Sequence, residues 1–160
     1  MLAMLPSLFR RTELRDLETI KKIVRLSYPS VTQASTSTLA EWMRSDVSLQ
    51  LIDVRSTKEF AVSHLSGAIN LKSAQDISRA INKQKPSKTV LYCSVGFRSS
   101  RLANVLARDG IADVANLEGS IFQWANEGRA VYQGDVPVEK VHPFGKRWAG
   151  LLKPGLASEC

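Results

Sequence analysis

Cys93 ends the apolar run TVLYC (89–93) and is followed by Ser94, Val95, Gly96, Phe97 and Arg98. A buried strand that ends on a thiol delivers it to the carboxyl edge of an open α/β sheet, where such sheets take their ligands. Gly96 lets the next residues curl so that backbone N–H groups converge on one point, an anion cradle. A helix expected from about Ser99 aims its positive end at the same place, favouring a thiolate at Cys93 and an anion beside it. Arg98 either donates to that anion or braces the loop through its planar fork. Together these groups meet the requirements of a cysteine nucleophile acting on a small anion. A lone cysteine at the end of a buried strand also fits an inert core residue, so the loop around it carries the argument.

Such a loop has to be held by a sheet and its helices. LQLIDV (49–54), TVLYC and DVANL (113–117) read as strands, with GAIN (67–70) a brief one. STKEFAVSHL (56–65), residues 75–83, SSRLANVLARDG (99–110) and SIFQWANEG (120–128) read as helices, the last two closed by glycine. Short apolar strands alternating with helices predict an α/β fold, with a mostly parallel central sheet flanked by helices on both faces. Thr38 and Glu41 resemble a capping box that opens a short helix through Trp42 and Met43. Upstream, Leu14, Leu17, Ile20 and Val24 keep a helical period over 7–26. Pro29 and the stretch SYPSVTQASTST read as a linker. The chain thus divides into a basic amphipathic extension with linker (1–35), a domain (36–134) and a C-terminal extension (135–160). In that extension Val138, Val141, Phe144, Trp148, Leu151 and Leu152 are too apolar to float freely, and they are expected to pack on the domain or a partner.

The 160 residues suffice for one compact domain, and 44% hydrophobic content supplies its core. The formal charge of +7 raises nucleic acid or an anionic surface as a partner. Its distribution argues against nucleic acid: residues 31–137 hold twelve positive and ten negative side chains, and most of the excess lies in the flanks. The central body has no basic cluster interleaved with aromatics. Cys93 and Cys160 are too few for a disulfide scaffold and have no paired histidines for a zinc site. No apolar run reaches the roughly 18 residues of a transmembrane span. A reducing cytoplasm is the expected compartment; the basic N-terminus leaves organelle import open.

Four segments, IDVRSTKEF (52–60), HLSGAIN (64–70), LYCSVGFRSSRLANVLARDG (91–110) and VANLEGSIFQWANEG (114–128), resemble the single-domain rhodanese family of sulfurtransferases in order and spacing. The resemblance spans roughly residues 36–130. It implies that Cys93 is the nucleophile and that Ser94 to Ser99 form the substrate-binding loop. It further implies that the Cys93 thiolate takes sulfane sulfur from thiosulfate or a persulfide donor. The resulting persulfide passes its outer sulfur to cyanide, a thiol or a protein acceptor. No metal or organic cofactor is implied. The sequence departs from the family at Ser66, where a proline is common, and at Ser120, where a second glycine often follows Gly119; both positions read as architectural.

Asp53, Arg55, Glu59 and His64 are supporting residues on this reading. Asp53 and Arg55 brace the loop or form an internal ion pair, while Glu59 and His64 organise the segment that follows. A low-pKa thiolate needs no general base for the first attack, which gives His64 a structural part. Glu118 is a candidate partner for a basic loop residue. Val95 and Phe97 make the loop apolar, suited to a thiol or protein persulfide, and Phe97 also fits as a lid on Trp124. Cys160 reads as an incidental terminal thiol, with a resolving role as the other possibility. Two other functions compete. One is a non-catalytic binding module, which in this fold usually lacks the nucleophile. The other is a cysteine phosphatase or arsenate reductase, whose pattern sets the arginine six positions after the cysteine. Here that position is Ser99 and the arginine comes five positions on, which favours sulfur transfer.

Overall fold

The computed structural model describes residues 16–159. Helix α1 (Leu17–Ser27) is capped by Asp16, whose carboxylate accepts the Thr19 N–H at 2.8 Å. It buries Ile20, Ile23 and Val24 on one face. The part of the expected 7–26 helix before residue 16 lies outside the described residues. Strand β1 (Gln33–Ala34) and helix α2 (Thr36–Arg44) follow. Next come β2 (Leu49–Asp53), α3 (Thr57–Val62), β3 (Ile69–Asn70), α4 (Ala74–Gln84), β4 (Lys88–Tyr92) and α5 (Phe97–Arg108). The chain continues through β5 (Val114–Leu117), α6 (Ser120–Asn126), a hairpin of β6 (Val131–Gln133) and β7 (Val136–Val138), and a 3-10 turn at Ala149–Leu151.

Five strands form one parallel sheet in the order β1-β5-β4-β2-β3. Side chains alternate across it. Leu51, Val90, Tyr92, Ala115 and Leu117 face a core built with α1, α2 and α6, whereas Ile52, Leu91, Cys93 and Val114 face one built with α4 and α5. Helices therefore cover both faces, as the alternation of short apolar runs and helices predicts. After β2 the chain turns outward to β3, and after β4 it turns the other way to β5. The carboxyl ends of β2 and β4 thus flank the point where strand order reverses, the crevice where open sheets bind ligands. Asp53 ends one of these strands and Cys93 follows the other.

Three local expectations are corrected. The stretch read as a linker supplies the edge strand β1, paired with β5 through Gln33 and Ala34, and it buries Val31. Its serines and threonines mask an element only two residues long. The α2 cap is Ser35, whose Oγ accepts the Thr38 N–H at 3.0 Å, three residues before the expected Thr38 box. Helix α5 begins at Phe97 rather than Ser99, because Gly96 already takes the N-cap at φ 110°. The hairpin β6–β7 was not anticipated, since Gly128, Gly134 and Pro137 break any apolar period. Of the C-terminal apolar residues, Val141, Leu151 and Leu152 join the core on the α1, α2 and α6 face. Val138 and Trp148 pack partly against it, and Phe144 is exposed. Cys160 lies outside the described residues.

Candidate functional site

Tyr92 is the last residue of β4 and Phe97 the first of α5, so the turn between strand and helix is only Cys93 to Gly96. Its tightness has two sources. Gly96 adopts a positive φ, and a Cβ there would stand 3.2 Å from Asn116 Nδ2. From below, α6 receives the turn: the Ile121 and Phe122 N–H groups donate to the carbonyls of Cys93 and Ser94 at 3.2 and 3.1 Å. Ser120 completes this seat. Its Oγ accepts the Cys93 N–H at 3.1 Å and donates to the Leu117 carbonyl at 3.0 Å. It does so at φ 51°, the left-handed conformation that a glycine would adopt more easily.

The Cys93 Sγ receives the Gly96 N–H at 3.2 Å and lies 3.3 Å from the Ser99 hydroxyl. The positive end of the twelve-residue α5 is at the same spot. Burial by itself would raise the thiol pKa. The charge of Arg98 and the hydrogen bonds from Ser99 and Gly96 outweigh that effect, and the thiol is held below its ordinary value. The side chain is only 1% exposed.

Arg98 is a brace in this geometry. Its two terminal nitrogens donate to the Glu59 carboxylate at 3.0 and 2.8 Å, and one also reaches Ser94 Oγ at 2.9 Å. Glu59 belongs to a capping box on α3, accepting the N–H and hydroxyl of Ser56 at 3.0 and 2.9 Å. Burial pushes its carboxyl up, but Arg98 and Ser56 overcome this and hold its pKa down to about 2. The Arg98 and Glu59 side chains are 30% and 3% exposed. Six of the expected residues thus fall into two hydrogen-bonded clusters joined by the loop backbone: Gly96 and Ser99 on the Cys93 sulfur, and Ser94 and Arg98 on Glu59. Val95 is buried in the core beside them, and Phe97 packs partly against it.

The other supporting residues stand apart from the thiol. Arg55 pairs with Asp53, its terminal nitrogen 2.6 Å from a carboxylate oxygen, and neither side chain has any solvent exposure. The same nitrogen donates to the Ser63 carbonyl at 2.6 Å. The pair is an internal tie to the segment after α3, without a hydrogen bond to the Cys93 loop. His64 stacks on Phe60 with ring centroids 4.2 Å apart, and its Nδ1 lies 2.9 Å from the Leu65 carbonyl. Glu118 pairs with Arg25 of α1 instead of a loop residue. Trp124 carries Arg129 on its ring at 5.1 Å and donates to the Ala130 carbonyl.

Asn116 is a site residue that the sequence reading missed. Its Oδ1 accepts from the Ser99 hydroxyl at 2.5 Å, and its Nδ2 donates to Gln33 at 2.7 Å. A hydroxyl has one proton, so Asn116 and the thiolate compete for it. The available signal was an asparagine in the otherwise apolar strand VANL, which the structure buries fully. Among the described residues, no group of three His, Cys, Asp or Glu side chains is placed to hold a metal ion. No helix among them is long and apolar enough to cross a membrane.

A parallel α/β sheet thus holds a buried, acidified thiol at its reversal point. The chain belongs to the rhodanese-like domain family, whose model matches residues 35–127. It is 33% identical over 127 residues to the probable adenylyltransferase/sulfurtransferase MoeZ of Mycobacterium tuberculosis, covering 76% of this chain and 32% of that protein. It is 28% identical over 159 residues to a tRNA uridine(34) hydroxylase of Acaryochloris marina, covering 88% and 49%. The chain thus spans about a third to a half of these relatives. In fold it is similar to the crystal structure of a thiosulfate sulfurtransferase from Pseudomonas aeruginosa, with a TM-score of 0.62, 18% identity, and coverage of 73% of this chain and 23% of the other.

Proposed function

We propose that this protein is a sulfurtransferase working through a persulfide on Cys93. The observation that carries the reading is the short turn in which the Gly96 N–H meets Sγ and α5 begins only four residues after the thiol. The thiolate attacks the outer sulfur of thiosulfate or a persulfide donor. The donor's sulfur–sulfur bond breaks, and its electron pair leaves with sulfite or a thiolate. The outer sulfur of Cys93–S–S⁻ then passes to cyanide, a thiol or a protein acceptor, returning the Cys93 thiolate. The amide and the helix end stabilise the anionic sulfur at each stage. Ser94 and Arg98 hold the loop's shape, with Arg98 fixed on Glu59. The proposed catalytic unit is residues 36–134, acting in a reducing, cytoplasmic compartment.

Intact mass tests the reading. Reduced protein exposed to thiosulfate or an organic persulfide is expected to gain one sulfur atom on Cys93, and Cys93→Ser to gain none. Absence of the adduct with every donor, together with Cys93-dependent hydrolysis of an aryl phosphate, would overturn it in favour of phosphatase chemistry.

A further inference from the structure

Phe144 lies beyond the residues that the family model matches, yet it touches Arg98 in the first turn of α5. The Arg98 guanidinium carbon sits 4.6 Å from its ring centroid. Glu59 balances the charge of Arg98 and the Phe144 ring takes one of its faces. Trp148 meets the same ring edge-on at 6.4 Å, but Phe144 is still 51% exposed. It is held at φ 67°, a conformation rare for a bulky residue. The Phe144 N–H donates to His142 Nδ1 at 3.0 Å, which places the proton of the neutral ring on Nε2. His142 is 6% exposed, and its Nε2 finds no hydrogen-bond partner among the described residues. The charges acting on this ring are those of Glu59, Lys58, Arg55 and Arg98. One turn therefore sets an exposed aromatic face and a buried, unanswered donor beside the candidate site.

We propose that the turn Val141–Phe144 is a second wall of the Cys93 site and that Phe144 determines its specificity. It selects a singly charged organic sulfane-sulfur compound with an apolar stem over the small dianion thiosulfate. The proposal rests on the sulfur-transfer reading. Its physical basis is that Glu59 and the Cys93 thiolate already share the charge of Arg98, which leaves little to offset a dianion approaching that thiolate. Phe144, exposed beside Arg98, offers apolar area that an organic stem can cover. The donor reaction balances as Cys93–S⁻ + R–SO₂–S⁻ → Cys93–S–S⁻ + R–SO₂⁻. The donor's sulfur–sulfur bond breaks, and its electron pair departs with the sulfinate.

Thiosulfate, methanethiosulfonate and benzenethiosulfonate separate charge from stem: the first two differ in charge, the last two in stem alone. With cyanide as acceptor, the wild type is expected to rank them benzene, methane, thiosulfate in kcat/KM, with about tenfold between the first two. Phe144→Gly relieves the positive φ while removing the ring. It is expected to lose about tenfold on the aryl donor through KM and less than about twofold on the others. Phe144→Leu keeps apolar area and is expected to retain most of the aryl preference. Equal losses on all three donors, or a wild type that prefers thiosulfate, would overturn the proposal. Protection of Cys93 from alkylation by benzenesulfinate, compared with sulfite, reads binding without transfer. If no donor loads Cys93 while benzenesulfinate still protects the wild type and not Phe144→Gly, sulfur transfer falls and the wall stands. Loss of that selective protection in the wild type removes the wall itself.

Discussion

Two arginine–carboxylate pairs lie near the carboxyl ends of the central strands, and they do different things. Asp53–Arg55 is sealed from solvent and ties the end of β2 to Ser63. Glu59–Arg98 stands at the edge of the thiol loop, linked to Ser94, and its charge acts on Cys93. The first pair is architecture, because every polar contact it makes is internal and none reaches the reacting atom. The second is both brace and electrostatic setting, since its arginine is partly exposed and close enough to lower a thiol pKa. The lesson is that equal chemistry at short range is sorted by what the second hydrogen bond reaches.

Breaking the sealed pair is expected to have the largest effect. Arg55→Met strands a buried Asp53 carboxylate and should cost about 3–5 kcal/mol in chemical denaturation. Any folded fraction should keep a wild-type alkylation profile for Cys93; a raised thiol pKa there would place Arg55 in the site after all. Acid comes next. The Glu59 carboxyl is held near 2 in the folded chain, below its ordinary 4.5, so its contribution is fully present above about pH 4.5. As pH falls through 4.5 towards 2, about 3 kcal/mol should be lost, and Glu59→Gln should remove that part of the acid dependence of stability. An unchanged acid limb in Glu59→Gln would show that another carboxylate dominates. The smallest stability effect, about 1–3 kcal/mol, is expected for Arg98→Met, since Ser56 and Ser94 still serve Glu59. Its signature is chemical: the Cys93 alkylation profile should shift to higher pH. A profile that does not move would reduce the second pair to the status of the first.

Much of the site was legible because its signals are local. A cysteine after a buried strand, a glycine three residues on and an immediate helix all lie within one short segment. The chemistry they permit follows from backbone geometry over that segment alone. Glu59 and Arg98 could each be named as relevant, but not as partners, because 39 residues and three elements separate them. Asn116 stayed hidden for the same reason. A polar residue in an apolar strand shows its meaning only when the strand is set beside α5 and its hydroxyl. The edge strand β1 was missed because two residues carry no period, and pairing with β5 is what makes them a strand.

The amino-acid sequence by itself determined the strand and helix alternation, the parallel α/β class and the position of the thiol. Each of these follows from hydrophobic period and turn residues acting over a few positions. Tertiary structure alone decided which carboxylate meets which arginine, that the Ser120 hydroxyl seats the Cys93 turn, and that the C-terminal extension brings Phe144 onto Arg98. Those outcomes depend on distances between segments far apart in the chain. They are fixed when two faces of a sheet are packed and buried polar groups must find partners, which no local pattern can encode.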